Sequence, residues 1–219
     1  MNTSPPTPPP LPLSADLPEP LPEILHLGCG QAKYPAKLGR ALGVDAEAAS
    51  AADLVWDLNR LPWPLPSHAF SKIYLVNVLE HLDDVIGIME EVYRVGRQDA
   101  EVVILAPFAS SHHLWTDPTH KRAFTARSFQ YFTKAYAERT FHYSDARFEQ
   151  LEVTYERYED WMWVYRPRWY DRMFLALANR YKDRYERRFM YWYQVRNIYF
   201  RLRVLKPQAA PRAEDGGAA

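Results

Sequence analysis

The stretch "SSHHLWTDPTH" packs His112, His113, Asp117 and His120 into a few residues, and those side chains suit two kinds of chemistry. An imidazole near a hydroxyl can take its proton. Imidazoles and a carboxylate at short spacing can also converge on a divalent ion. Upstream, "NVLEHLDD" holds Asn77, Glu80 and His81. A third group lies earlier still: Gly28 and Gly30 around Cys29 in "ILHLGCG", Asp45 in "GVD" and Asp57 in "VWDL". Glycines one residue apart let a ligand approach bare backbone, and a carboxylate can accept both hydroxyls of a sugar ring, so this group reads as a nucleotide-type site.

These residues need strands that end where they stand. The apolar runs "ILHLG", "ALGVD", "ADLVWDL", "KIYLVNVL" and "EVVILAPF" lack strict alternation, as strands buried on both faces of a parallel sheet do. From Asp83, "DDVIGIMEEVYRV" places Val85, Ile88, Met89 and Val92 at helical spacing behind an Asp cap, so a helix joins the fourth strand to the fifth. Strand, helix, strand is the crossover unit of an α/β fold. In such a sheet the ligand lies outside the carboxyl ends of the strands. Every residue of the third group, and Asn77, falls at such an end.

The 219 residues suit one domain. Lys plus Arg equal Asp plus Glu at 27 each, so no overall field selects a nucleic acid or an acidic partner. Cys29 is the single cysteine, which excludes an intrachain disulfide and points to a reducing, cytoplasmic setting. Residues 1–22 are littered with proline and read as a disordered leader, without the basic and apolar order of a secretory signal. The small, polar tail 207–219 reads likewise. A folded domain over 23–206 is expected, with core motifs in 23–133 and an embellishment in 134–206.

The ordered set "ILHLGCG", "GVD", "VWDLNRLPWPLPSHAFSKIYLVNVLEHLDD" and "VVILAPF" resembles the successive motifs of class I S-adenosylmethionine-dependent methyltransferases, and most of all the small methyltransferase type 11 group. The resemblance covers about residues 22–133. It implies a Rossmann-like, mostly parallel seven-stranded sheet and S-adenosyl-L-methionine as cofactor. It further implies Gly28, Cys29 and Gly30 against the methionine moiety, Asp45 on the ribose, Asp57 with Leu58 at the adenine, and Asn77 near the transferable methyl. Cys29 is then structural and no nucleophile, because methyl transfer needs no covalent enzyme intermediate.

Three departures stand out. "QAKYPAKLGRALGV" is short for the first crossover helix and contains Pro35, so a stunted helix is expected there. Lys33 occupies the place of a third glycine and could pair with the cofactor carboxylate. "GRQDAE" replaces the usual Pro-Gly-Gly turn before the fifth strand and reads as loop. Two other readings remain open: a nicotinamide dinucleotide enzyme, which Lys33 disfavours, and a binding protein that has kept the fold and lost the chemistry.

The resemblance favours a substrate-facing loop over a metal site for "SSHHLWTDPTH". His120, with Asp117, is therefore the expected acceptor-side pair, and no metal is expected. Glu80 and His81 read as a helix start. The acceptor is not named by these residues; a small molecule, a sugar or a lipid-linked glycan, and equally a protein side chain or RNA, are compatible with such a core. Beyond residue 126, "ARSFQYFTKAYAE" reads as a helix, "HYSDARFEQLEVTYERYE" as antiparallel strands, and "NIYFRLRVLKP" as either a strand or a helix end. Residues 161–206 are crowded with aromatics and arginine. Phe174, Tyr181, Tyr185, Phe189 and Trp192 are expected to pack on the sheet, with nucleic acid or a membrane surface as the other possible partners of this third of the chain.

Overall fold

The structure, a computed structural model, describes residues 17–31, 40–138, 142–156 and 168–207. The stunted crossover helix, Lys33, and most of the leader and tail lie outside the described residues. Seven strands form one sheet: β1 (Ile24–Leu27), β2 (Ala41–Asp45), β3 (Leu54–Val55), β4 (Phe70–Val76), β5 (Gly96–Pro107), β6 (Phe148–Tyr155) and β7 (Asn197–Val204). Their order is β3-β2-β1-β4-β5-β7-β6. The first five pair in parallel, while β7 runs antiparallel to both β5 and β6. A dinucleotide-binding sheet has the order 3-2-1-4-5-6. The antiparallel strand inserted beside β5 therefore departs from the dinucleotide reading and fits the seven-stranded expectation.

Apolar strand residues face both sides of the sheet. Leu25, Leu27, Leu42, Val44, Ile73, Leu75, Val102 and Ile104 belong to the main core, whereas Tyr74, Val103, Leu105 and Tyr199 form a smaller cluster. Helix α1 (Val85–Val95) crosses from β4 to β5 and buries Ile88, Met89 and Val92. Its cap is Asp84, whose Oδ1 accepts the Ile86 and Gly87 N–H groups at 3.0 and 3.1 Å. Such a cap satisfies donors that the first helical turn leaves without carbonyl partners.

The buried Glu91 of α1 reaches back to hold the chain between β3 and β4. Its Oε2 accepts the Trp63 N–H at 2.7 Å, and Arg94 bridges Glu91 to the Trp63 and Leu65 carbonyls. Leu58, Trp63 and Leu65 consequently sit in the core, which fixes the segment carrying Asp57.

Three expectations change. "GRQDAE" is the beginning of β5, not a loop, because Gly96 pairs with Phe70 and Glu101 with Lys72 across an irregularity in the ladder. "ARSFQYFTKAYAE" is no continuous helix. It holds a 3-10 turn at Gln130–Phe132 and a short α3 (Lys134–Ala137). The Thr125 N–H bonds the Ser128 hydroxyl, and Thr133 is extended, so local side-chain bonds compete with the helix while Phe124, Phe129 and Phe132 enter the core. "HYSDARFEQLEVTYERYE" supplies one described strand, β6, whose partner is β7. The choice over "NIYFRLRVLKP" falls to a strand.

Helices α4 (Trp169–Arg180) and α5 (Lys182–Arg188) lie between β6 and β7 in the chain. Of the five aromatics expected to pack on the sheet, only Tyr185 is buried; Phe174, Tyr181 and Phe189 are exposed, and Trp192 is 90% exposed. Tyr185 packs against Phe108 and Tyr155, and Glu186 accepts from the Tyr155 hydroxyl and the Ala126 N–H, each at 2.7 Å. This third of the chain is thus anchored through α5 to the segment following β5. Among the described residues no helix is long and apolar enough to cross a membrane.

His26 is buried in β1, edge-on to Tyr74. Burial pushes its imidazole from 6.5 down to about 4, against a smaller opposing pull from Asp45. Because the folded value lies below the unfolded one, the stabilisation from neutral His26 is complete above 6.5 and is lost as pH falls through about 4. The expected loss is on the order of 3 kcal/mol. Urea unfolding across that window should show His26→Gln with a flatter pH dependence than the native chain.

Candidate functional site

The strand order reverses at β1, which has β2 on one side and β4 on the other, so the crevice opens at the carboxyl ends of β1 and β4. At the end of β1, Gly28 and Gly30 have φ of 64° and 53°. The two glycines serve different purposes. A Cβ on Gly28 would lie 2.5 Å from Val78 Cγ2, so its bareness lets the chain after β4 close on the end of β1. A Cβ on Gly30 would meet nothing within 4 Å, so this glycine faces open space, as a backbone cradle for a ligand requires. Between them Cys29 is buried, which leaves its backbone and not its thiol for the crevice.

Asp45 ends β2 half-buried. Its Oδ2 accepts the Gly30 N–H at 2.7 Å and its Oδ1 the Glu47 N–H at 3.0 Å. A carboxylate oxygen accepts about two bonds, so each keeps capacity for a ligand hydroxyl. Asp57 is more engaged locally: its Oδ1 accepts both the backbone and the side-chain N–H of Asn59, closing the turn. The Leu58 side chain is core and its carbonyl accepts the Trp63 indole, so only its backbone remains for recognition of a ligand. Asn77 leaves β4 exposed, at φ 50°, with its N–H on the Leu105 carbonyl.

Beyond Asn77 a single 3-10 turn, Leu79–His81, carries a group that sequence reasoning treated as a helix start. Glu80 is fully buried, and no other described residue donates to either carboxylate oxygen, toward which only its own backbone N–H turns. Burial raises its carboxyl to about 7. His120 Nε2 stands 4.0 Å from Glu80 Oε1 and 4.0 Å from Asp117 Oδ2, and the His81 and His120 rings meet edge-on at 4.6 Å. Burial and the neighbouring His120 push the His81 imidazole down.

The loop after β5 is stitched onto this turn. The Lys121 N–H bonds the Glu80 carbonyl at 2.7 Å, Lys121 Nζ pairs with Asp83 at 2.6 Å, and Arg122 donates to the Leu82 and Asp83 carbonyls. His112 and His113 lie on the short α2 (His112–Thr116) with their side chains exposed, apart from this cluster. Asp117 is exposed, and its Oδ1 accepts the Thr119 N–H and hydroxyl, which hold its carboxyl below the usual range. The structure thus joins His120 to Glu80 and His81. An acidic residue inside the apolar run "NVLEHL" was the one signal that could have marked Glu80.

Residues 25–104 match a family model described as a methyltransferase domain. A SAM-dependent methyltransferase from Archaeoglobus fulgidus is similar in structure at a TM-score of 0.51 and 16% identity, over 82% of this chain and 85% of the other. The YcgJ protein from Bacillus subtilis superposes at 0.52 and 14% identity, over 84% and 92%. The [4+2]-cyclase SpnF superposes at 0.50 and 13% identity, over 84% and 74%. Likeness at these identities establishes the fold, and SpnF shows that this fold carries other chemistry as well. A sequence comparison with curated proteins finds no match.

The two glycines can be told apart by experiment. Gly28→Ala combines an unfavourable φ with a clash and should cost roughly 3 kcal/mol or more in urea unfolding. Gly30→Ala should cost only about 1 kcal/mol and show its effect in ligand affinity.

Proposed function

From the match of residues 25–104 to a methyltransferase domain, we propose that the chain is a class I S-adenosylmethionine-dependent methyltransferase that passes the methyl group to an oxygen of a small-molecule, sugar or lipid-linked glycan acceptor. The observation that carries this reading is the convergence of Glu80, His81 and His120, lone-pair groups that can assist loss of a hydroxyl proton, beside the carboxyl ends of β4 and β5. An amine acceptor would need only its own lone pair.

The bare backbone at Gly30 and the spare acceptor capacity of Asp45 fit the cofactor. Asp45 would receive the ribose hydroxyls, Asp57 and the Leu58 backbone the adenine edge, and Asn77 would lie beside the methionine end. The bound cofactor supplies an electrophilic methyl group on a sulfonium sulfur. The chain's part is to hold the acceptor oxygen in line with that methyl group and to ease departure of its proton. His120 serves the second task, and Asp117 acts on it by position: the Asp117–Thr119 turn orders the loop, and Thr119 in turn holds His81 at 2.8 Å.

Asp45→Ala should weaken S-adenosylhomocysteine binding in calorimetry by about 1.5–3 kcal/mol, tenfold or more, and Asp57→Ala by less, since the ribose contacts are charge-assisted. Tight NADH binding with no binding of S-adenosylmethionine or its product would refute the reading.

A tritiated-methyl screen against fractionated cell extract identifies the acceptor. With that acceptor, His120→Ala should lower turnover by about 10² to 10⁴ while leaving affinity for the methyl donor unchanged. Unaltered turnover in His120→Ala would remove the cluster from the reaction.

A further inference from the structure

We infer that Glu80, His81 and His120 form a binding site for a first-row divalent cation, through which the acceptor hydroxyl is held and activated. The inference rests on the methyl-transfer reading above for the cation's role, but not for its binding. One ligand atom from each residue lies within 4.8 Å of those of the other two. Around a cation with bonds of about 2.1 Å, such atoms would sit about 3 to 3.5 Å apart, a contraction of about 1 Å that side-chain rotation can supply.

The hydrogen bonds around the cluster determine which atoms are donors. His120 Nδ1 lies 3.0 Å from the Leu114 carbonyl, which can only accept, so Nδ1 carries the proton and Nε2 presents a lone pair. That Nε2 is the atom facing Glu80. The Thr119 hydroxyl donates its one proton to Asp117 at 2.6 Å, so toward His81 it accepts. His81 Nδ1 is therefore also the protonated nitrogen, and Nε2 its lone-pair atom. No other described residue donates to either oxygen of the buried Glu80 carboxyl. With Glu80 ionised, its Oε1 and His120 Nε2 stand 4.0 Å apart with no donor between them, and a cation there relieves their repulsion. A carbonyl and a hydroxyl fixing the far nitrogens of two imidazoles is the outer arrangement that metal-bound histidines need.

Two imidazoles and one carboxylate suit a transition ion such as zinc, manganese, iron or cobalt better than magnesium or calcium, which favour all-oxygen sets. Three protein ligands also leave a coordination position open, the mark of a reactive site. An acceptor hydroxyl taking that position becomes more acidic. Its oxygen lone pair then forms the bond to the methyl carbon, the carbon–sulfur bond breaks with its electrons on sulfur, and the hydroxyl proton passes to solvent. The cation changes no oxidation state.

The test uses the full chain without a polyhistidine tag, stripped with chelator and titrated with Co²⁺, whose visible absorption reports nitrogen and oxygen coordination. One Co²⁺ per chain is expected, with affinity at least about tenfold weaker in Glu80→Gln, His81→Gln and His120→Gln and unchanged in His142→Gln. His81 is only half-buried, so its variant keeps the test valid if Glu80→Gln fails to fold. Methyl transfer should vanish with chelator and return with zinc, manganese or cobalt. Absence of Co²⁺ binding, or binding indifferent to all three substitutions, overturns the site. Binding accompanied by turnover that ignores chelation overturns the cation's role at the acceptor. Because Co²⁺ binding is read without substrate, a failure of methyl transfer alone counts against the methyl-transfer reading and not the site.

Discussion

The contact on which this molecule is organised is that of Val78 with the empty side of Gly28. A Cβ on residue 28 would lie only 2.5 Å from Val78 Cγ2, so the chain leaving β4 can close over the end of β1 only because that residue has no side chain. With β1 ended there, Gly28 donates to the Val44 carbonyl and Gly30 to Asp45, which sets the glycine turn against the end of β2. Val78 is also the residue from which the turn carrying Glu80 and His81 departs. One steric constraint thus places the glycine-lined crevice and the turn carrying Glu80 and His81 on the same edge of the sheet.

The loop that brings His120 to Glu80 is held by several modest interactions. Hydrogen bonds to backbone carbonyls contribute about 1 kcal/mol each, and the exposed Lys121–Asp83 pair less than that. None is strong alone, so the loop is held on the turn by their sum. The contrast with Glu91 is instructive. That buried carboxylate has its oxygens filled by Trp63 and Arg94 and serves packing, whereas Glu80, buried still more deeply, has no donor from another residue on either oxygen. Satisfaction separates a structural acid from one available for chemistry.

The strand ends, the Asp84 cap and the glycine turn were legible in the chain because each is a local pattern: an apolar run, a capping side chain, two residues that tolerate positive φ. Those signals yielded the fold class and the strand-end residues Gly28, Gly30, Asp45, Asp57 and Asn77, which are proposed for the cofactor. Patterns with two local solutions were not decided. "GRQDAE" became strand because β4 offered it a ladder, and "ARSFQYFTKAYAE" broke because its hydroxyls bonded neighbouring backbone and its phenylalanines had a core to enter.

By itself, then, the sequence determined where the first five strands end and which residues stand at those ends, since the residue ending a strand is a property of a few neighbours. The partner of His120 was a tertiary decision. Nearby in the chain, His112, His113 and Asp117 looked like its companions; in space Glu80 and His81 are, because the loop after β5 bonds its Lys121 N–H to the Glu80 carbonyl and folds His120 inward while α2 turns His112 and His113 to solvent. Burial of Glu80 without a donor from another residue exists only once α1 and β5 have carried the chain back to it, so spacing along the sequence could not contain it.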